Sequence, residues 1–267
     1  MTNDERLADD EREEPGQLGP TAPPDQDEWM ISAVALIDLL ARSFGRTDLA
    51  DTSVLDVGCG TRFTKAFLER GVPIGRYVGV DASTEVVDFL RVNVTDPRCE
   101  YHHIDARSDL YNPTGQPLRT IERLPVGEER FDIICLFSVF THLRPDDYRA
   151  MLELVRPHAA PDGGLLFSLS VERELDPGIE AALGEHLAQR VAEADPAAIA
   201  AIERELERRQ ALETDGYLDQ VPERPLRNAS YTESRARALI EGTGWEVVAL
   251  HPPEPPYIEH YFVCRPA

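Results

Sequence analysis

The chain predicts an α/β fold built on a doubly wound, mostly parallel sheet, and three observations predict it. Strand-length apolar runs alternate with helix-length amphipathic segments from Thr52 to Val171. One run, FDIICLF at Phe131–Phe137, is almost wholly apolar, as a central parallel strand covered on both faces must be. A glycine turn, DVGCG at Asp56–Gly60, leads from the first strand straight into a helix.

The elements follow in order. Residues 1–28 carry a net charge of −8 and a Pro/Gly-rich stretch, which reads as a disordered acidic leader. Trp29–Phe44 has apolar residues at helical spacing and reads as an amphipathic helix ahead of the core. Strands are expected at Thr52–Asp56, Tyr77–Val80, Tyr101–Ile104, Phe131–Phe137 and Gly164–Val171. The helices between them are Arg62–Glu69, stopped near Gly71, then Thr84–Val94, and Arg144–Arg156 after a proline turn. Residues 172–228 break the rhythm with a net charge of −7, two expected helices divided near Pro196, and a turn-rich run GYLDQVPERPLRN. So long an insertion exceeds any connector, and it is either a cap over the site or surface decoration with an oligomer contact, a homodimer being the simplest. Alternation resumes with helix Thr232–Gly242, ended by Gly244, and strands Trp245–Leu250 and Ile258–Cys264. The core is thus 29–171 with 229–267.

Composition sets limits on function. With 267 residues, 42% of them hydrophobic, the chain suffices for one well-buried α/β domain with attachments. A formal charge of −22 argues against a non-specific grip on nucleic acid or on an anionic membrane. No apolar run reaches the roughly 18 residues of a membrane span, and the N-terminus lacks the basic start and apolar core of a signal peptide. The four cysteines, Cys59, Cys99, Cys135 and Cys264, form no CxxC pair, so neither a disulfide scaffold nor a zinc site is expected and a reducing cytoplasm fits. His102 and His103 are adjacent in a strand and face opposite sides, which makes them poor joint metal ligands.

Three places carry chemistry. Gly58 and Gly60 allow the backbone to approach a ligand, and the following helix N-terminus offers free N–H groups to negative charge. The pattern is not GxGxxG, because Phe63 follows GCGTR. Asp81 ends the second strand, where a carboxylate either accepts both hydroxyls of a ribose or caps the next helix. Asp105 follows the third strand and is placed to accept from an adenine amino group. The fourth strand ends in FSVFTHL, which sets Ser138, Thr141 and His142 at the sheet's carboxyl edge, where open α/β sheets bind ligands. His142 is the first candidate for a general base, with a structural role in the loop as its other reading. Glu259 and His260 are the second candidates. Phe137 and Phe140 are pocket wall or core, and Tyr217 and Tyr231, flanking the exit of the insertion, are placed to shape the acceptor pocket.

In this order and spacing the residues resemble the class I S-adenosylmethionine-dependent methyltransferases, a seven-stranded Rossmann-like family. The resemblance runs from about Ser53 to Val171 and from Tyr231 to Cys264. DVGCG is similar to the family's glycine-rich first motif, which makes Asp56, Gly58, Cys59 and Gly60 cofactor-binding positions. GVDAS places Asp81 and Ala82 at the ribose position, and Asp105–Ala106 resembles the pair beside the adenine. FDIICLFSVFTHL resembles the fourth-strand motif, with Phe137 and Ser138 facing the cofactor. The resemblance implies strand order 3-2-1-4-5-7-6 with an antiparallel seventh strand. It also implies S-adenosyl-L-methionine as cofactor, no metal, and methyl transfer to a small-molecule acceptor, with a hydroxyl of a natural product or sugar as the leading reading. The alternatives are N-methylation, a non-methylating enzyme on the same cofactor fold, and a binding or scaffold protein with a degenerate pocket. The chain departs from the family at Arg62, where another glycine is usual; this side chain either pairs with the carboxylate of the methionine moiety or fills its pocket.

Overall fold

The computed structural model describes residues 26–172, 207–219, 228–253 and 259–267. The sheet is assembled from β1 (Leu49–Val57), β2 (Ile74–Asp81), β3 (Cys99–His103), β4 (Phe131–Leu136), β5 (Ala159–Glu172), β8 (Trp245–His251) and β9 (His260–Pro266). A short pair, β6 (Tyr217–Asp219) and β7 (Ala229–Thr232), is added to it. Strands β3-β2-β1-β4-β5 pair in that order and in parallel, and β9 then pairs antiparallel with both β5 and β8. With β8 and β9 as sixth and seventh strands, the expected order 3-2-1-4-5-7-6 and the antiparallel seventh strand are present.

Alternate residues of each central strand feed two cores. Leu55, Ile134, Leu136, Leu165 and Phe167 point to the face covered by α4 (Pro145–Val155) and α5 (Glu233–Ile240). Val54, Ile133, Cys135 and Leu166 point to the face covered by α1 (Gln26–Ser43), α2 (Arg62–Arg70) and α3 (Thr84–Asn93). Burial on both faces is the reason these strands read as continuous apolar runs. Gly71, left-handed at φ 64°, caps α2 as anticipated. At α5 the helix ends at Ile240, and Gly242 and Gly244 both turn left-handed in the link to β8, so Gly244 lies beyond the terminus assigned to it.

The insertion matches expectation in part where it is described. Residues 207–215 are helical, and Arg208 pairs with Glu172 at the end of β5. The turn-rich run begins with the short strand β6, and β7 forms just before α5. β5 overshoots the main sheet, and its last three residues, Ser170–Glu172, pair in parallel with β7. The acidic leader up to residue 25 and the remainder of the predicted insertion lie outside the described residues.

This small annex corrects one assignment. Tyr231, expected at the acceptor pocket, is fully buried in β7, and its hydroxyl donates to the Leu143 carbonyl at 2.6 Å. Its ring packs on Tyr148 and Tyr217. Replacing Tyr231 with Phe leaves that carbonyl without its donor, and should lower stability by about 1–2 kcal/mol in urea unfolding. Binding of any ligand at the sheet edge should be unchanged in the same variant.

Candidate active site

The carboxyl ends of β1, β2 and β4, with the start of the antiparallel β9, meet at one edge of the sheet. The glycine turn is built there. Gly58 and Gly60 adopt φ of 77° and 48°, which side chains rarely tolerate. A Cβ on Gly58 would stand 2.5 Å from Val139 Cγ2, whereas Gly60 faces open space. The N–H groups of Gly58 and Cys59 both donate to the Val80 carbonyl, so the turn hangs on β2.

Asp81 holds the turn from the next strand. One carboxylate oxygen accepts the Gly60 N–H at 2.9 Å, and the other accepts the Ser83 N–H at 2.8 Å. The cap of α3 is Ser83, whose hydroxyl accepts from the Val86 N–H. Asp81 is therefore not the helix cap, and it stays partly exposed beside the turn with Ala82. Asp105 is exposed after β3. Asn112 and Gln116 amides donate to its two oxygens at 3.1 Å, and these bonds hold its pKa below the ordinary carboxylate value. Buried Ala106 bridges to Gln116, closing the loop that carries Asp105.

Asp56 and Cys59 contribute differently from expectation. The Asp56 side chain is buried beneath the turn, where the Tyr77 hydroxyl donates to it at 2.7 Å and the Cys135 thiol also donates. Burial pushes its pKa up to about 7, against the pull of those bonds. The Cys59 side chain is buried against Gly79, and burial raises its thiol pKa too. Both residues support the turn from below, and neither carboxylate nor thiol faces the open side.

Beyond β4 the chain turns sharply. Ser138 is the non-glycine residue with positive φ, 56°, among the described residues. Its N–H donates to the Ser168 hydroxyl at 2.7 Å, and its own hydroxyl donates to Glu259 Oε2 at 3.1 Å. Ser168 also hydrogen-bonds to Glu259. Burial raises the Glu259 pKa above the usual carboxylate range, while the two serines and the nearby Arg62 charge draw it back. Phe137 packs edge-on against Phe63 of α2 (5.3 Å) and Tyr261 of β9 (6.2 Å), joining the three elements at this corner. Arg62 opens α2 and acts electrostatically on both Asp56 and Glu259.

His142 ends a single 3-10 turn, Phe140–His142, and is half-buried. Its ring meets exposed Tyr111 edge-on at 6.1 Å. Tyr111 carries no sequence signal of its own; only the folding back of the 105–116 loop brings it there. Phe140, by contrast, is core: it is fully buried against Tyr148 and Phe167 and offers a ligand no surface. Tyr217 is half-buried in the annex beside Tyr231, and His260 pairs within β9 opposite Leu169. Among the described residues no three His, Cys, Asp or Glu side chains converge as a metal site requires.

A nucleotide-bearing cofactor fits this edge: two left-handed glycines in the turn, a carboxylate at the end of β2 and another after β3. Comparison with known proteins agrees. A family model described as a methyltransferase domain matches residues 27–250, and the chain belongs to that family. It is 28% identical over 122 residues to the mitochondrial ubiquinone biosynthesis O-methyltransferase of Candida albicans, covering 46% of this chain and 33% of that protein. It is 29% identical over 103 residues to an uncharacterized methyltransferase of Schizosaccharomyces pombe, covering 39% and 34%. The matches thus span about a third of these relatives' length. Among solved structures, the glycopeptide N-methyltransferase MtfA superposes with a TM-score of 0.51 at 15% identity, over 93% of this chain and 100% of that one. A pericyclic reaction enzyme gives 0.51 at 13% identity over 85% and 47%. At such identities the likeness is one of fold.

The Asp56 environment predicts a pH signature. An acid whose folded pKa is raised stabilises the fold at low pH, and that contribution is lost as pH rises from 3.8 through about 7. An Asp56→Asn variant should therefore gain stability relative to the parent over that window, by a few kcal/mol, about 4 at most, and the gain should level off above it. Denaturant unfolding of both proteins between those limits measures the difference.

Proposed function

We propose that the protein binds S-adenosyl-L-methionine at the carboxyl edge of β1, β2 and β4 and transfers its methyl group to a small-molecule hydroxyl, in natural-product or sugar chemistry. The observation that carries this reading is the glycine turn locked to Asp81, with Asp105 beyond it. Gly58 and Gly60 would admit the cofactor's backbone-side approach, Asp81 would accept from the ribose hydroxyls, and Asp105 from the adenine. The bound cofactor supplies a methyl group on a cationic sulfur that leaves as a neutral thioether.

The chain's own part is to align the acceptor, exclude water and take a proton. His142 is the residue for the proton: it stands past the end of β4, half-buried, with its ring steadied against Tyr111. The mildly acidic core and strongly acidic attachments favour a neutral or cationic acceptor over a nucleic acid.

Calorimetry with S-adenosylmethionine and S-adenosylhomocysteine tests the cofactor. Saturable binding at submillimolar concentration is expected, and no binding at millimolar concentration would favour a scaffold with a degenerate pocket. An Asp81→Ala variant should bind at least about tenfold more weakly, because it loses the charged acceptor and frees the turn.

For the proton acceptor, His142→Ala should reduce turnover by about 10²-fold or more with cofactor affinity near normal. Undiminished turnover in that variant removes His142 from the reaction.

A further inference from the structure

Arg62 follows closely on the glycine turn, and Glu259 lies near the other end of the chain, well outside the glycine motif. The fold nevertheless brings them to one corner. Arg62 is the first residue of α2, and Glu259 immediately precedes β9. Phe137 at the end of β4 touches both elements, through Phe63 on one side and Tyr261 on the other. Ser168 and Tyr261 are cross-strand partners, so Ser168, Tyr261 and Glu259 share the face of the sheet that α2 covers.

The carboxylate at this corner is fixed at some cost. Ser138 is held in a left-handed conformation that non-glycine residues rarely adopt, and its hydroxyl donates to Glu259. Ser168, fully buried, accepts the Ser138 N–H and so directs its own proton to the same carboxylate. Two hydroxyl donors therefore orient one acceptor group, which is the arrangement for presenting a carboxylate rather than discarding it to solvent. A guanidinium and an oriented carboxylate beside a glycine turn match a ligand that carries both charges on one carbon.

We propose that Arg62 and Glu259 form a clamp for the cofactor's amino-acid end, Arg62 on the α-carboxylate and Glu259 on the α-ammonium, and that the clamp makes the site select the intact aminoacyl group. The inference rests on the S-adenosylmethionine reading. It gives Glu259 a binding role in place of the proton-transfer role open to it from sequence, and leaves His142, on the 3-10 turn against Tyr111, to the acceptor.

The test is calorimetric, on the full chain. Wild type, Glu259→Gln and Arg62→Gln are titrated with S-adenosylhomocysteine, its deaminated analogue, its decarboxylated analogue, and methylthioadenosine, which has no amino-acid end. Glu259→Gln should lose about tenfold or more on S-adenosylhomocysteine and almost nothing on the deaminated analogue. Arg62→Gln should show the same pattern with the decarboxylated analogue. Unchanged methylthioadenosine affinity in each variant shows that the fold and nucleoside site survive. Equal losses on all ligands, or none on S-adenosylhomocysteine, overturn the clamp. So does a Glu259→Gln variant with full affinity and lost turnover, since its carboxylate then serves the acceptor. If wild type binds methylthioadenosine and S-adenosylhomocysteine equally well, the clamp fails while the cofactor site stands; if it binds neither, the cofactor reading itself fails.

Discussion

The hydrogen bond from the Gly60 N–H to Asp81 is the constraint on which the rest of the site depends. Two left-handed glycines give the turn freedom to approach a ligand, but the same freedom would leave it without a fixed shape. Three successive N–H groups remove that freedom. Gly58 and Cys59 donate to the Val80 carbonyl, and Gly60 donates to the carboxylate one residue further along β2. The parallel register, with Val57 opposite Val80, sets those acceptors directly beside the turn. A charged acceptor makes the last of these bonds the strongest, and the second oxygen of Asp81, bonded to the Ser83 N–H, keeps it from rotating away. The turn is therefore a property of two strands, and a ligand laid across it meets both at once.

Much of this was legible because local sequence and global fold agree. A strand such as Phe131–Leu136, buried on both faces, must be apolar at every position, and it announces itself. The glycine turn and Asp81 were legible for a related reason, since left-handed φ and close approach restrict the residue type. The β6–β7 annex was not. YLD and ASYT are three and four residues long, and they become strands because β5 overshoots and offers Ser170–Glu172 as an edge. That is a non-local cause, invisible to periodicity. Tyr231 misled in the same way: it flanks the exit of the insertion in sequence, yet it points into the core, whereas Phe140, read as pocket wall or core, is core. Ser138 had no signal of strain at all, because serine has no preference for positive φ and only its partners hold it there.

Burial also divides the carboxylates at this edge into one enclosed beneath the turn and two left at its surface. Asp56 belongs to the glycine motif in sequence, but it is enclosed with Tyr77 and Cys135, and burial pushes its pKa up to about 7. Below that pH the protonated acid avoids a second negative charge beneath a turn that already carries Asp81. Asp81 is partly exposed and Asp105 exposed, with backbone donors on the first and amide donors on the second. The two placements follow from position along the strand, not from residue type.

The end of β4 then separates two kinds of work. On one side, Phe137 joins α2 to β9 and brings Arg62 and Glu259 to a common corner next to the glycine turn. On the other, the 3-10 turn carries His142 outward to Tyr111 on the loop after β3. Ser138 sits between them, and its left-handed backbone makes the separation: an extended residue there would continue β4, whereas φ of 56° turns the chain so that the serine hydroxyl faces Glu259 and the following residues leave toward His142. A single strained residue at the strand end makes this turn, and its strain persists because Ser168 and Glu259 both bond to it.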